Sequence, residues 1–326
     1  MGFLYRLVQL KLAYSLIPCN VRSFMRFHPS LTRFLRGLAA TAVCLGFVGG
    51  APAFAASALK LEVYNPGTNS VFPVSSELVT GARDAVLIDA QFQRNDAEAL
   101  VERIRASGKN LTTVYISHGD PDFYFGLDVI KAAFPAAKIV ATPQTVAAIQ
   151  ASMAGKQAYW SPILKENAPR ALVLPEPLAG NTILLEGNKL EVLGLDGPAP
   201  ARTVVWIPAL KTVAGGVVVF GKSHVWIADT QTPASRQQWI AMLGRIEAKR
   251  PVRVVPGHFL DEAPQTLASV RFTRDYLRTF EREAAKASDA RALSTAMQQH
   301  YPKLGGVESL DLSAKVIKGE MTWPAK

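Results

Sequence analysis

The run Ala85-Val86-Leu87-Ile88-Asp89-Ala90 has no polar residue before its fifth position. A strand built from it must be covered on both faces, which demands a layer of structure on each side. The flanking segments supply such layers. Residues 96–106 show helical spacing through Ala97, Leu100, Val101 and Ile104, with Asn95 as cap, and 112–117 reads as a second strand. A helix over 122–134, a strand at 138–141 and a helix opened by Thr142-Pro143 and running to about Met153 follow. Shorter strands at 59–64 and 71–80 precede this set. A Pro- and Gly-rich loop over 155–181 separates it from hairpin-like strands at 182–186, 189–195, 203–207, 212–214, 217–220 and 224–227. A helix at 234–249, a strand at 252–255 and helices from 263 onward, broken at 301–306, complete the chain. The pattern predicts an α/β fold, a helix–sheet–sheet–helix sandwich with two similar halves.

Residues 1–55 stand apart from this folding pattern. Arg26, Arg33 and Arg36 precede an apolar stretch from Leu38 to Val48, and Ala53-Phe54-Ala55 fits a signal-peptidase site. The segment reads as a bacterial secretory signal peptide cleaved near Ala55, with Met25 the better start, and it predicts a periplasmic or secreted protein. The apolar run is too short to span a bilayer, so no stable membrane anchor is expected after cleavage. The leader holds six Lys/Arg and no acid, so its removal lowers the net charge from +10 to +4. With no basic run interleaved with aromatics, nucleic acid is not an expected partner. Both cysteines, Cys19 and Cys44, lie in the leader, which excludes disulfides, thiolate metal sites and a cysteine nucleophile from the remainder. The expected organisation is a leader (1–55), a main domain (56–262) and a C-terminal helical extension (263–326).

Chemistry concentrates where the strand at 112–117 ends, in Ser117-His118-Gly119-Asp120-Pro121-Asp122. Strand-to-helix loops hold polar side chains at the open edge of a rigid scaffold. Asp-Pro-Asp is also a good helix start, with Asp120 as N-cap and Pro121 at the first position. Only His118, His224, His258 and His300 remain after the leader.

In this order and spacing the chain resembles the metallo-β-lactamase superfamily over roughly residues 60–262. Leu87-Ile88-Asp89 looks like the family's early strand, whose acid supports the metal loop. The segment from Ser117 to Asp122 stands where the family has its Thr-His-x-His-x-Asp-His motif. Thr203 to Pro208 with Ala214-Gly215-Gly216 looks like its central hairpin, and Val254-Val255-Pro256-Gly257-His258 like its last ligand strand. The resemblance implies the αββα sandwich and a divalent metal, zinc in most of the family. Three ligand positions are kept, His118, Asp122 and His258. Asp120 and Phe123 replace two histidines, Val217 stands at the bridging acid, and Gly194-Leu195-Asp196 near the remaining histidine.

If Asp120, Asp122 and Asp196 converge, their mutual repulsion calls for a cation. Two imidazoles with several carboxylates suit zinc, manganese or iron. The candidate metal ligands are thus His118, Asp120, Asp122 and His258. Asp196 and His224 each stand evenly between ligand and ordinary turn or strand residue, and Asp89 belongs behind the metal loop. Phe123, Tyr124, Phe125 and Trp226 are expected to line an apolar rim, and Asp229 with Thr230 to cap the helix near Pro233. The first expectation is an exported metal-dependent hydrolase of a small ester, lactone or amide. In it Asp122, by resemblance, orients the metal-bound water and takes its proton. The alternative is a non-catalytic binding protein of the same fold that has lost its two-metal centre. Iron-based oxygen chemistry is a weaker third reading.

Overall fold

The computed structural model describes residues 58–197, 199–260 and 262–323. The leader and its cleavage site lie outside the described residues.

The first sheet has six strands in sequence order: β1 (Lys60–Tyr64), β2 (Ser76–Thr80), β3 (Asp84–Ile88), β4 (Asn110–Ile116), β5 (Lys138–Ala141) and β6 (Glu176–Pro177). β1, β2 and β3 pair antiparallel, and β3 to β6 run parallel. The parallel part needs crossovers, provided by α1 (Arg94–Ala106), α2 (Pro121–Tyr124) with α3 (Leu127–Ala133), and α4 (Pro143–Leu164). The second sheet is built from β7 (Thr182–Leu185), β8 (Asn188–Leu193), β9 (Val204–Ile207), β10 (Thr212–Ala214) and β12 (Arg253–Val254), in the order β12-β10-β9-β8-β7. A small parallel pair joins β11 (Phe220–Gly221) to β13 (His258–Phe259), and α5 (Pro233–Ala248) precedes β12.

The period-2 geometry of strands sorts the core. Val79, Val86, Ile88 and Tyr115 face the second sheet's Ile183, Leu190, Val192, Val205 and Ile207, while Ala85, Leu87, Val114 and Ile116 face the helices. Val86, Leu87 and Ile88 are each 0% exposed, so the strand covered on both faces is present. The tail forms α6 (Leu267–Lys286), α7 (Ala290–His300) and α8 (Val307–Ile317), with the expected break between the last two. α6 packs on α5, and its Val270, Tyr276, Leu277 and Phe280 share a core with Val218 and Phe220. No helix among the described residues is long and apolar enough to cross a membrane.

Several elements differ from expectation. The helix expected over 122–134 is two helices parted at Phe125-Gly126, because Gly126 packs directly on strand-end backbone: an added Cβ would lie 2.1 Å from Ala90 O. α4 continues eleven residues past Met153, through the stretch that reads as loop, to Leu164. Residues 217–219 and 224–227 are not strands; in the second stretch the tail takes the backbone groups, with His224 N donating to Gly305 O (2.8 Å) and Ile227 N to Ser313 Oγ of α8 (2.9 Å). Asn95 lies inside α1, whose N-cap is Gln93, and α5 is capped by Thr232 and Ser235 in a reciprocal box rather than by Asp229.

Candidate active-site cleft

β3 turns sharply at Asp89, a fully buried residue with a left-handed backbone (φ 61°). Its carboxylate accepts from Ser117 N (2.8 Å), Ser117 Oγ (2.6 Å) and Gly216 N (3.3 Å), tying the end of β4 to the turn after β10. Burial, outweighing these bonds, pushes its carboxyl up to about 7. Asp89 thus stands behind the loop and holds it. Opposite, an added Cβ on Gly257 would lie 1.7 Å from Gly216 O, so only glycine lets β13 bring His258 this close.

His118 and His258 enter the cleft from these two supports. Ala201 O accepts from His118 Nδ1 (3.0 Å), which aims Nε2 at Asp120 Oδ2, 3.1 Å away. Asp120 occupies the N-cap position of α2 but makes no cap bond. Its second oxygen accepts from Lys156 Nζ (2.8 Å), and Lys156 also donates to Gly119 O (3.0 Å). Burial works against ionisation of Asp120, but the charges of His118 and Lys156 outweigh it and hold the carboxyl well below the usual range. His258 Nε2 meets Asp122 Oδ2 at 3.0 Å. The phenyl ring of Phe123, fully buried, meets each imidazole edge-on, with both centroid distances 5.6 Å.

The sequence model of the metallo-beta-lactamase superfamily matches residues 69–258. The chain belongs to this superfamily. A metallo-beta-lactamase family protein from Thermus thermophilus superimposes with a TM-score of 0.56 at 16% identity, covering 80% of this chain and 91% of that one. The metallo-beta-lactamase from Pontibacter korlensis is similar at 18% identity, with 69% and 96% covered and a TM-score of 0.46. DIM-1 metallo-beta-lactamase is similar at 21%, with 68% and 94% covered and a TM-score of 0.45. Such identities speak for the fold alone. No curated protein matches the sequence.

Superfamily membership implies a divalent metal, and the donor set can be weighed against one. Zinc takes three or four protein donors around one point. Here the donors fall into two separate His–Asp pairs, and no group of three or more His, Cys, Asp or Glu among the described residues is placed to hold a metal. The Lys156 ammonium already sits on Asp120, where a cation would have to bind. Phe123 offers hydrocarbon where the family motif has an imidazole, and Val217 is a core residue, 2% exposed. The residues present do not fit the superfamily's two-metal centre.

The structure moves other expected site residues elsewhere. Asp196 has an 83% exposed side chain and pairs with Arg245 at 2.7 Å, so it does not join the acids of the cleft. His224 turns into the helical layer, where its Nδ1 lies 2.8 Å from Tyr276 Oη and its backbone N donates to Gly305 O. Phe123, Tyr124 and Phe125 are core residues rather than rim. The rim is instead Trp226 with Trp323, Tyr159 and Trp160, whose rings contact one another edge-on. Asp229 sits among them and accepts from the indoles of Trp226 and Trp323. Sequence reasoning missed Lys156, Arg202 and Trp323. For Lys156 a signal existed: Ile149, Met153, Trp160 and Leu164 keep helical spacing across Gly155.

Proposed function

We propose that this chain is an exported, metal-independent member of the superfamily that binds a small molecule in the cleft. The observation that carries this reading is twofold: Lys156 neutralises Asp120, and Phe123, standing where the family motif has an imidazole, packs edge-on against both His118 and His258. A half-buried carboxylate that already carries an ammonium has its charge compensated without a metal ion, and a fully buried phenyl ring offers no ligand there. Asp122, expected as the water-orienting base of a hydrolase, is engaged by His258 instead. Export rests on the charged and apolar pattern of the leader, and the modest net charge that remains without it speaks for a small-molecule partner over nucleic acid.

The test is elemental mass spectrometry of protein isolated from the periplasm without added metal, beside a His118→Ala, His258→Ala double variant. The expected result is sub-stoichiometric metal in both. Near-stoichiometric zinc, manganese or iron that disappears in the double variant would overturn the proposal and restore the metal-dependent hydrolase.

A further inference from the structure

Beside the cleft lies a cavity of about 140 Å³, lined among others by Arg202, Asp229, Thr230, Ser235, Gln238 and Trp239. Arg202 follows the residue whose carbonyl orients His118, so the cavity and the histidine loop share one backbone segment. Its guanidinium lies over the Trp239 ring, 4.8 Å from the centroid. That ring is fixed from behind, since its Nε1 donates to Val218 O at 2.8 Å. The Nη1 of Arg202 is buried and has no hydrogen-bond partner among the described residues. A buried charged donor left unmade is costly, and native structures keep such groups where something else completes them.

The remaining lining narrows what completes it. The hydroxyls of Thr230 and Ser235 already donate to backbone carbonyls, at 3.1 and 2.8 Å. The Gln238 side chain makes no hydrogen bond among the described residues and lines the same cavity, so it adds an amide to the guanidinium of Arg202. Two donors suit the two oxygens of a carboxylate. Asp229 on the same wall lies near Arg202 and repels any anion, a dianion more than a monoanion, which disfavours phosphate relative to a monocarboxylate. Val218, Trp239 and Met242 supply an apolar surface, and the volume admits a body of only a few carbons. We propose that this cavity binds a small monocarboxylate, its oxygens on Arg202 and Gln238 and its hydrocarbon against Trp239 and Met242. The inference rests on the reading of the chain as a binding protein and names its ligand class.

Isothermal titration of the purified mature chain with propionate, and separately with inorganic phosphate, tests it. Saturable one-to-one binding of propionate is expected, tighter than any binding of phosphate, and weakened about tenfold or more in Arg202→Gln. Because loss of Arg202 can also disturb folding, Gln238→Leu, at a half-buried position of α5 whose side chain makes no hydrogen bond among the described residues, serves as a second variant. It should weaken propionate about threefold or more with circular dichroism unchanged. Absence of saturable propionate binding, equal affinity in both variants, or a preference for phosphate would overturn the proposal. Metal content of the same preparation separates the two claims. Metal-free protein that ignores propionate sinks the ligand class alone, whereas stoichiometric metal sinks the metal-independent reading whatever propionate does.

Discussion

The cleft and the helical layer both bury histidine, and they treat it in opposite ways. In the cleft, His118 and His258 face carboxylates, and Asp120 stays charged because His118 and Lys156 surround it. Under α6 and α8, His224 faces the phenol of Tyr276 and its Nε2 has no partner among the described residues. Burial there pushes the imidazole down to about 4. The loop at the end of β4 leaves room for counter-charges around its histidine, whereas the packing of α6 around His224 leaves it only a phenol. The two histidines therefore differ in the charge their surroundings supply, although the helical layer does hold ion pairs elsewhere, such as Arg236 with Glu281.

Glu77 gives the sharpest test of what burial does to an ionisable group. It lies on β2, fully buried, with Oε2 unpartnered, and burial raises its carboxyl from 4.5 to about 8. The folded state holds this proton while the unfolded chain has lost it, so stability is full below 4.5 and drains as pH rises towards 8. Glu77→Gln should remove that slope and gain a few kcal/mol at pH 8, read by urea unfolding across pH. An unchanged slope would show that Glu77 is charged in the fold. His224 has the opposite sign. Its stabilisation is full above 6.5 and is lost as pH falls towards 4, because only the unfolded chain takes up the proton in that window. His224→Phe should remove this rising slope, so that stability falls more steeply with pH between 4.5 and 6.5. Between 4.5 and 6.5 the His224 slope opposes those of Glu77 and of Asp89, whose buried carboxyl is also raised, to about 7, so stability still falls with pH there but less steeply than the two acids alone would make it. Lys156→Met should have the smallest effect, about 1–2 kcal/mol, since both partners retain about a fifth of their exposure. A larger loss would mean that the cleft depends on this ion pair more than its exposure implies.

The sandwich was legible because its signals are local. The run from Ala85 to Ala90 and the spacing over 96–106 each require one kind of element, and β3 and α1 formed within two residues of the expected bounds. The pair of histidines was legible too, since strand ends announce themselves. The rest was hidden for physical reasons. Asp196 and Asp229 have the composition of turns and caps, and only tertiary contacts send one to solvent and the other between two indoles. His224 sits in a segment whose alternation resembles a strand, but the tail helices claim its backbone. Gly155 and Pro162 disguised α4 as loop and so concealed Lys156, the residue that most changes the chemistry of the cleft.

The chain has five tryptophans, and four of them, Trp160, Trp226, Trp239 and Trp323, stand around the cleft or its neighbouring cavity. Trp206 is the exception, on β9 beneath Lys249. Ultraviolet emission from this protein is therefore dominated by one neighbourhood. A guest that shifts Arg202 off Trp239, or parts Trp226 from Trp323, should change the colour and yield of that light without any added label.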